Sequence, residues 1–218
     1  LGEIPPTVFI PLAEESGLIL PIGDWVLGEA MQTLKRWRSH GLNEISIGVN
    51  VSVLQLLRGN LPEQIRNLIR DLGVPANRIE LEVTESMVMQ NAEQTTNVLN
   101  ELRRIGVSLA IDDFGTGYSS LSYLRQFPLD SLKIDRSFVL NLHNDPDDAA
   151  ICAAIIAMAK KLGLKTVAEG IELEQQRQFL RAAGCDEGQG YLFARPMAAN
   201  DLQELLQMPR LRRGTHDE

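Results

Sequence analysis

The chain has 218 residues, is 44% hydrophobic and carries a formal net charge of −8. That much apolar material excludes wholesale disorder, and the acidic balance argues against a nucleic-acid polymer as partner, which calls for a basic surface. Two cysteines without CxxC spacing, Cys152 and Cys185, read as reduced structural thiols of a cytoplasmic domain, and no signal peptide or apolar run of about 18 residues is present to target or span a membrane, so any anchor would belong to a longer parent protein.

In chain order, Val26, Leu27, Ala30, Met31 and Leu34 recur at helical spacing after "PIGD", with Asp24 as the expected N-cap. "ISIGVNV" (45–51) reads as a buried strand. Ile65, Leu68, Ile69 and Leu72 mark a helix closed by Gly73 and Pro75, and "RIELEVT" (78–84) alternates as a strand does. Val98, Leu99, Leu102 and Ile105 form a helix ended by Gly106, followed by strand "VSLAI" (107–111) and strand "SLKID" (131–135). Ile151, Ala154, Ile155, Met158 and Leu162 form a helix ended by Gly163, and "LKTVA" (164–168) is a strand. Phe179, Leu180 and Ala183 belong to a helix ended by Gly184. "GYLFA" (190–194) is the expected last strand, and Leu202, Leu205 and Leu206 the last helix.

Alternating strands and helices imply an α/β fold with parallel strands and right-handed crossovers. No low-complexity linker interrupts the series, so residues 1–207 are expected to form one domain, with 208–218, containing the basic "RLRRG", as a flexible tail. In such folds the strand ends gather at one face, where the chemistry sits. Asn50 falls at the end of the first strand, Glu82 and Glu85 at the second, Asp112 and Asp113 at the third, Lys133 and Asp135 at the fourth, and Glu169 at the fifth; Gln189 stands just before the expected sixth. A single acid there signals little, because helix N-termini favour acids. A succession of strands delivering Asn, Glu, Asp-Asp and Glu points to a shared site.

The residue types suit a hard divalent cation, which prefers carboxylate and amide oxygens. The only histidines, His40, His143 and His216, are scattered in sequence, which argues against a zinc hydrolase. Adjacent aspartates repel unless a cation lies beside them, and in a two-metal site one carboxylate can bridge while its neighbour binds the second ion. There is no GxSxG, no Walker pattern and no GxGxxG. The glycines of "FGTGYSS" (114–120) suit either a phosphate-cradling loop or a mobile gating loop.

Taken together, "FIPLAEESGLILPIGDWVL" (9–27), "VNVS" (49–52), "ELEVTES" (80–86), "IDDFGTGYSSLSYL" (111–124), "LKIDRSFV" (132–139), "TVAEGIE" (166–172) and "GQGYLFARPM" (188–197) resemble an EAL domain from Phe9 to about Leu206. The resemblance implies a TIM-like (β/α) barrel and metal-dependent hydrolysis of the bacterial second messenger cyclic di-GMP to linear pGpG. By motif it implies Asn50 and Glu82 as ligands of a first metal, Asp112 as a bridge, and Asp113 and Glu169 as ligands of a second, both metals being Mg²⁺ or Mn²⁺. It implies Lys133, Glu169 and Gln189 as the catalytic set, with Lys133 holding the attacking water and Gln189 near the scissile phosphate. Glu85 resembles the residue that anchors the loop after the aspartate pair, and Glu172 a substrate contact. A homodimer through helices beside that loop is also implied.

The chain departs from the family pattern at one point. The Glu-Ala-Leu tripeptide, whose Glu is a metal ligand, does not occur; "GEAMQ" (28–32) places Glu29 inside a helix instead. About two strands that precede "VFIPLAEE" in the family are thus not among these residues: either they exist in the molecule ahead of Leu1 or the chain is truncated, and the hydrophobic edges that a six-stranded remnant would expose favour the former, or edge pairing between chains. The alternative that the resemblance also implies is a degenerate receptor that binds cyclic di-GMP without hydrolysing it.

Overall fold

The computed structural model describes residues 4–117, 124–142 and 144–208. Six strands, β1 (Ile47–Asn50), β2 (Ile79–Thr84), β3 (Ser108–Phe114), β4 (Ser131–Ile134), β5 (Lys165–Ala168) and β6 (Glu187–Gly188), lie side by side in chain order. Every pairing is parallel. With strands in sequential order and right-handed crossovers, the connecting helices fall on one face, and the sheet curls with its other face inward. The result is a six-stranded half-barrel of TIM-like type, the expected α/β architecture. Among the described residues β1 and β6 each have one strand neighbour.

The helices, in order, are α1 (Pro6–Ser16), α2 (Ile19–Ser39), α3 (Val53–Arg58), α4 (Leu61–Leu72), α5 (Glu85–Gln90), α6 (Ala92–Ile105), α7 (Arg136–Leu140), α8 (Pro146–Leu162), α9 (Glu174–Ala183) and α10 (Ala199–Gln207). α8 shows how the sequence sets them. Asp145 caps it by accepting the Asp147 N–H, Pro146 fits the first turn, and Gly163 ends it at φ 75°. Its buried Cys152, Ile155, Ile156 and Ala159 form one helical stripe against the sheet. Burial pushes the Cys152 thiol up to about 12, so it stays protonated and packs as a small apolar group. Cys185 is likewise free.

The core lies between the helices and the outer face of the sheet. Leu81, Leu109, Ile111, Leu132 and Ile134 are fully buried there, with Leu61, Ile65, Leu99 and Ile156 packed over them. On α1, on α2 and between them, by contrast, Val8, Leu12, Leu18, Ile22 and Trp25 are exposed. No helix among the described residues is long and apolar enough to cross a membrane.

Two expected boundaries are corrected. Asp24 is not a cap: α2 begins at Ile19, and Pro21 is tolerated because it lies in the first turn. "GYLFA" is not a strand. The sixth strand is Glu187–Gly188, and the chain then turns, with the Leu192 N–H donating to Ile171 O (2.9 Å) and the Phe193 N–H to Gly190 O (3.0 Å). Gln189 therefore stands at the end of the sixth strand, in line with the other strand-end residues. The basic segment 210–214, His143 and His216 lie outside the described residues.

Candidate functional site

The inner face of the curl is built from alternate strand residues. On β2 the outward Ile79, Leu81 and Val83 are buried in the core, while Glu80, Glu82 and Thr84 point inward. Register carries the pattern sideways, with Asn50 level with Glu82 and Thr84 level with Asp112. Gly48 makes room for it, since a Cβ there would collide with the Glu82 carboxylate.

Strict alternation would send Asp112 and Asp113 to opposite faces. A β-bulge prevents this: Ile111 pairs with Leu132 and Phe114 with Ile134, so both aspartates stand opposite the single residue Lys133. Asp113 takes φ 53°, the one positive φ outside glycine among the described residues. That left-handed backbone costs free energy of order 1–3 kcal/mol for a residue with a side chain, and such strain concentrates at functional positions. Its effect here is that carboxylate oxygens of Asp112, Asp113 and Glu169 all lie within 4.8 Å of one another.

Lys133 joins the strands. Its Nζ is 2.7 Å from Glu82 Oε2, 2.7 Å from Glu169 Oε1 and 3.4 Å from Asp112 Oδ1, so one ammonium meets carboxylates from β2, β3 and the end of β5. Lys133 is 5% and Asp112 8% exposed, which strengthens these charge interactions. Burial works against the Lys133 ammonium, but the hydrogen bonds to Glu169 and Glu82 and their charges outweigh it, and its pKa rises. Burial raises the Glu169 carboxyl, and Asp112 and Glu82 add to this against the pull of Lys133. Asp113 is also raised, by burial first and then by Asp112 and Asp135. The cluster holds more negative charge than one lysine balances. Its donor set is all oxygen, whereas His40 sits at the end of α2 against Arg36 O. That chemistry fits hard divalent cations.

The remaining predicted residues surround this centre. Gln189 Nε2 donates to Glu169 Oε1 (2.6 Å). Glu85, at the start of α5 and 2% exposed, accepts the Gly115 N–H through Oε2 (2.8 Å), and a Cβ at residue 117 would lie 2.8 Å from its other oxygen. The glycines at 115 and 117 thus let the chain after the aspartates pass over a buried carboxylate. Residues 118–120 of the expected loop lie outside the described residues. Glu172 is not in the acidic cluster; it accepts from Arg136 Nη2 (2.7 Å). The backbone N–H groups of Glu172 and Leu173 donate to buried Gln176 Oε1 (2.8 and 2.9 Å), which fixes that loop.

Three residues escaped the sequence reading. Arg136, Tyr191 and Arg195, with Glu169, Glu172 and Gln189, line a cleft of about 540 Å³ beside the acids. The Arg195 guanidinium lies 4.8 Å from the Tyr191 ring centroid. Their signal was present: Arg136 follows Asp135 in "LKIDRSFV", and Tyr191 and Arg195 lie in "GQGYLFARPM" after Gln189.

Comparison with known proteins identifies the family and the fold. The family described as EAL domain matches residues 1–196. The chain is 46% identical over 201 residues to the bifunctional diguanylate cyclase/cyclic di-GMP phosphodiesterase MucR of Pseudomonas aeruginosa, covering 92% of this chain and 29% of that protein. It is 40% identical over 198 residues to the cyclic di-GMP phosphodiesterase PdeR of Escherichia coli, covering 91% of this chain and 30% of that protein. The chain therefore spans less than a third of the length of these curated relatives. The solved PaMucR phosphodiesterase in complex with c-di-GMP superposes with a TM-score of 0.88 at 46% identity, over 91% of this chain and 81% of that one. In sequence and in fold, this chain belongs to the EAL domain family.

Proposed function

We propose that the chain is a catalytic phosphodiesterase domain that hydrolyses cyclic di-GMP to linear pGpG with two Mg²⁺ or Mn²⁺ ions. The observation that carries this reading is the convergence of Glu82, Asp112 and Glu169 on one buried lysine, with Asp113 brought alongside by the bulge. In this reading Asn50, Glu82 and Asp112 hold one ion, and Asp112, Asp113 and Glu169 the other. When bound, such ions acidify water and offset phosphoryl charge. Lys133 donates to the attacking water and holds it toward the phosphate. Gln189 fixes the Glu169 carboxylate and presents its amide near the scissile group. Arg136 and Arg195 offer guanidinium forks to phosphate oxygens, and the Tyr191 ring offers a stacking face to a base. Glu85 anchors the chain after the aspartates, and Glu172 borders the substrate. We also take residues 1–207 as one domain, from the series of elements without a linker, and a homodimer as the assembly, on family resemblance.

One observation favours a second reading. The 218 residues contain no Glu-Ala-Leu tripeptide, whose Glu is a metal ligand in the family pattern. A chain without that ligand would bind cyclic di-GMP and leave it intact. Incubation of the purified chain with cyclic di-GMP and Mn²⁺ decides between them. Metal-dependent pGpG, lost with chelator or Asp112→Asn, supports the enzyme; binding without cleavage supports the receptor.

A further inference from the structure

Directly beneath the Lys133–Glu82 pair lies a second pair with the same geometry. The Ser131 hydroxyl donates to Glu80 Oε2 at 2.9 Å, just as Lys133 Nζ reaches Glu82 Oε2 at 2.7 Å. Glu80 and Glu82 are alternate residues of β2, and Ser131 and Lys133 alternate residues of β4, so all four face inward. Both pairs cross over β3, where Ala110 is level with Glu82 on one side and Ser131 on the other. A methyl group there leaves the crossing open. The two rungs are about 7 Å apart by strand rise.

A cavity of about 400 Å³ connects them, lined by Glu80, Glu82, Ser131 and Lys133 together with Lys165 and Glu187. The lysine stem is long and flexible. A second carboxylate thus stands one rung below the ammonium, with open space between. Lys165, the other cation of the lining, is exposed and faces Glu187, its Nζ 3.8 Å from that carboxylate. Ser131 is 3% exposed, so its hydroxyl serves Glu80 rather than solvent.

We propose that Ser131 is a positioning residue for Lys133. By donating to Glu80, it engages the carboxylate that would otherwise draw the ammonium down, away from Glu82, Asp112 and Glu169. Its kinetic consequence rests on the phosphodiesterase reading; its effect on the acidic cluster does not.

The test compares wild type, Ser131→Ala and Ser131→Ala/Glu80→Gln by Mn²⁺ calorimetry, Mn²⁺-dependent cyclic di-GMP hydrolysis and thermal denaturation without metal. Loss of the hydroxyl frees Glu80 to take the lysine. The acids above then lose their ammonium, so Mn²⁺ affinity rises about fivefold, while kcat falls about tenfold with KM unchanged. Neutralising Glu80 in the same chain returns both to within about twofold of wild type, because the lower rung no longer attracts a cation. General damage would weaken both and would not be rescued. The proposal is overturned if Ser131→Ala leaves Mn²⁺ affinity unchanged or lowers it, or if Glu80→Gln fails to restore it. Absence of turnover in wild type would instead remove the phosphodiesterase reading and leave the Mn²⁺ titrations to decide the role of Ser131.

Discussion

The two faces of the same six strands do opposite work. Outward residues such as Leu81, Leu109 and Ile134 are fully buried against helices and supply the apolar burial that holds the fold. Inward residues such as Glu82, Lys133 and Glu169 lie in the curl and repel or attract one another as charges. Pleat alternation keeps the two roles on separate residues. It teaches that the site was not obtained by hollowing out the core. β3 is the exception: its bulge turns two neighbouring residues toward the same cleft and places Asp113 at φ 53°.

If the faces are separable, a change on the inner face should remove chemistry and spare stability. Asp112→Asn is expected to lower Mn²⁺-dependent turnover by at least about a thousandfold. The melting temperature of the metal-free chain should hold or rise, since a repelling charge is removed. A matching loss of melting temperature would break the separation.

The converse change is Leu81→Ala. It leaves a cavity behind the sheet and is expected to cost about 2–5 kcal/mol in urea denaturation. The Mn²⁺ affinity of the folded fraction should stay within about twofold, since the carboxylates stand on the opposite side of the strand.

Glu85→Ala probes the border between the faces. It removes the acceptor of the Gly115 N–H from a buried position. An effect of about 1.4 kcal/mol, or tenfold, is expected on turnover, with a smaller change in metal affinity.

The smallest effect is a pH dependence with a defined sign. Glu169 has a folded pKa above its ordinary value, so the folded chain takes up this proton at higher pH than the unfolded chain. Its contribution to stability therefore increases as pH falls through the folded value, and levels off below the unfolded one. Glu169→Gln mimics the protonated form. It should be more stable than the metal-free wild type at neutral pH, and the difference should vanish in acid. Thermal denaturation across that range, with wild type as reference, checks it.

Much of this was legible in the sequence, for local reasons. Gly73, Gly106, Gly163 and Gly184 end helices where the apolar spacing stops, each with positive φ. The strand-end acids were visible because each strand is short and its successor begins with a helix signal. What was missed depends on contacts distant in sequence. No element was expected over α1, which is helical with Pro6 in its first turn and Pro11 inside it. "GYLFA" has strand composition, yet Gly190 packs on the backbone of Ile171 and the chain turns. The bulge was invisible because it is a mismatch between two strands, and neither alone reveals it.

Calorimetric titration of the metal-free chain with Mn²⁺, in wild type and Asp112→Asn, addresses the convergence of Glu82, Asp112, Asp113 and Glu169. Saturable binding near two ions per chain in wild type, lost or strongly weakened in the variant, is the expected result. No saturable binding, or equal binding in both proteins, would contradict the metal centre and the chemistry built on it.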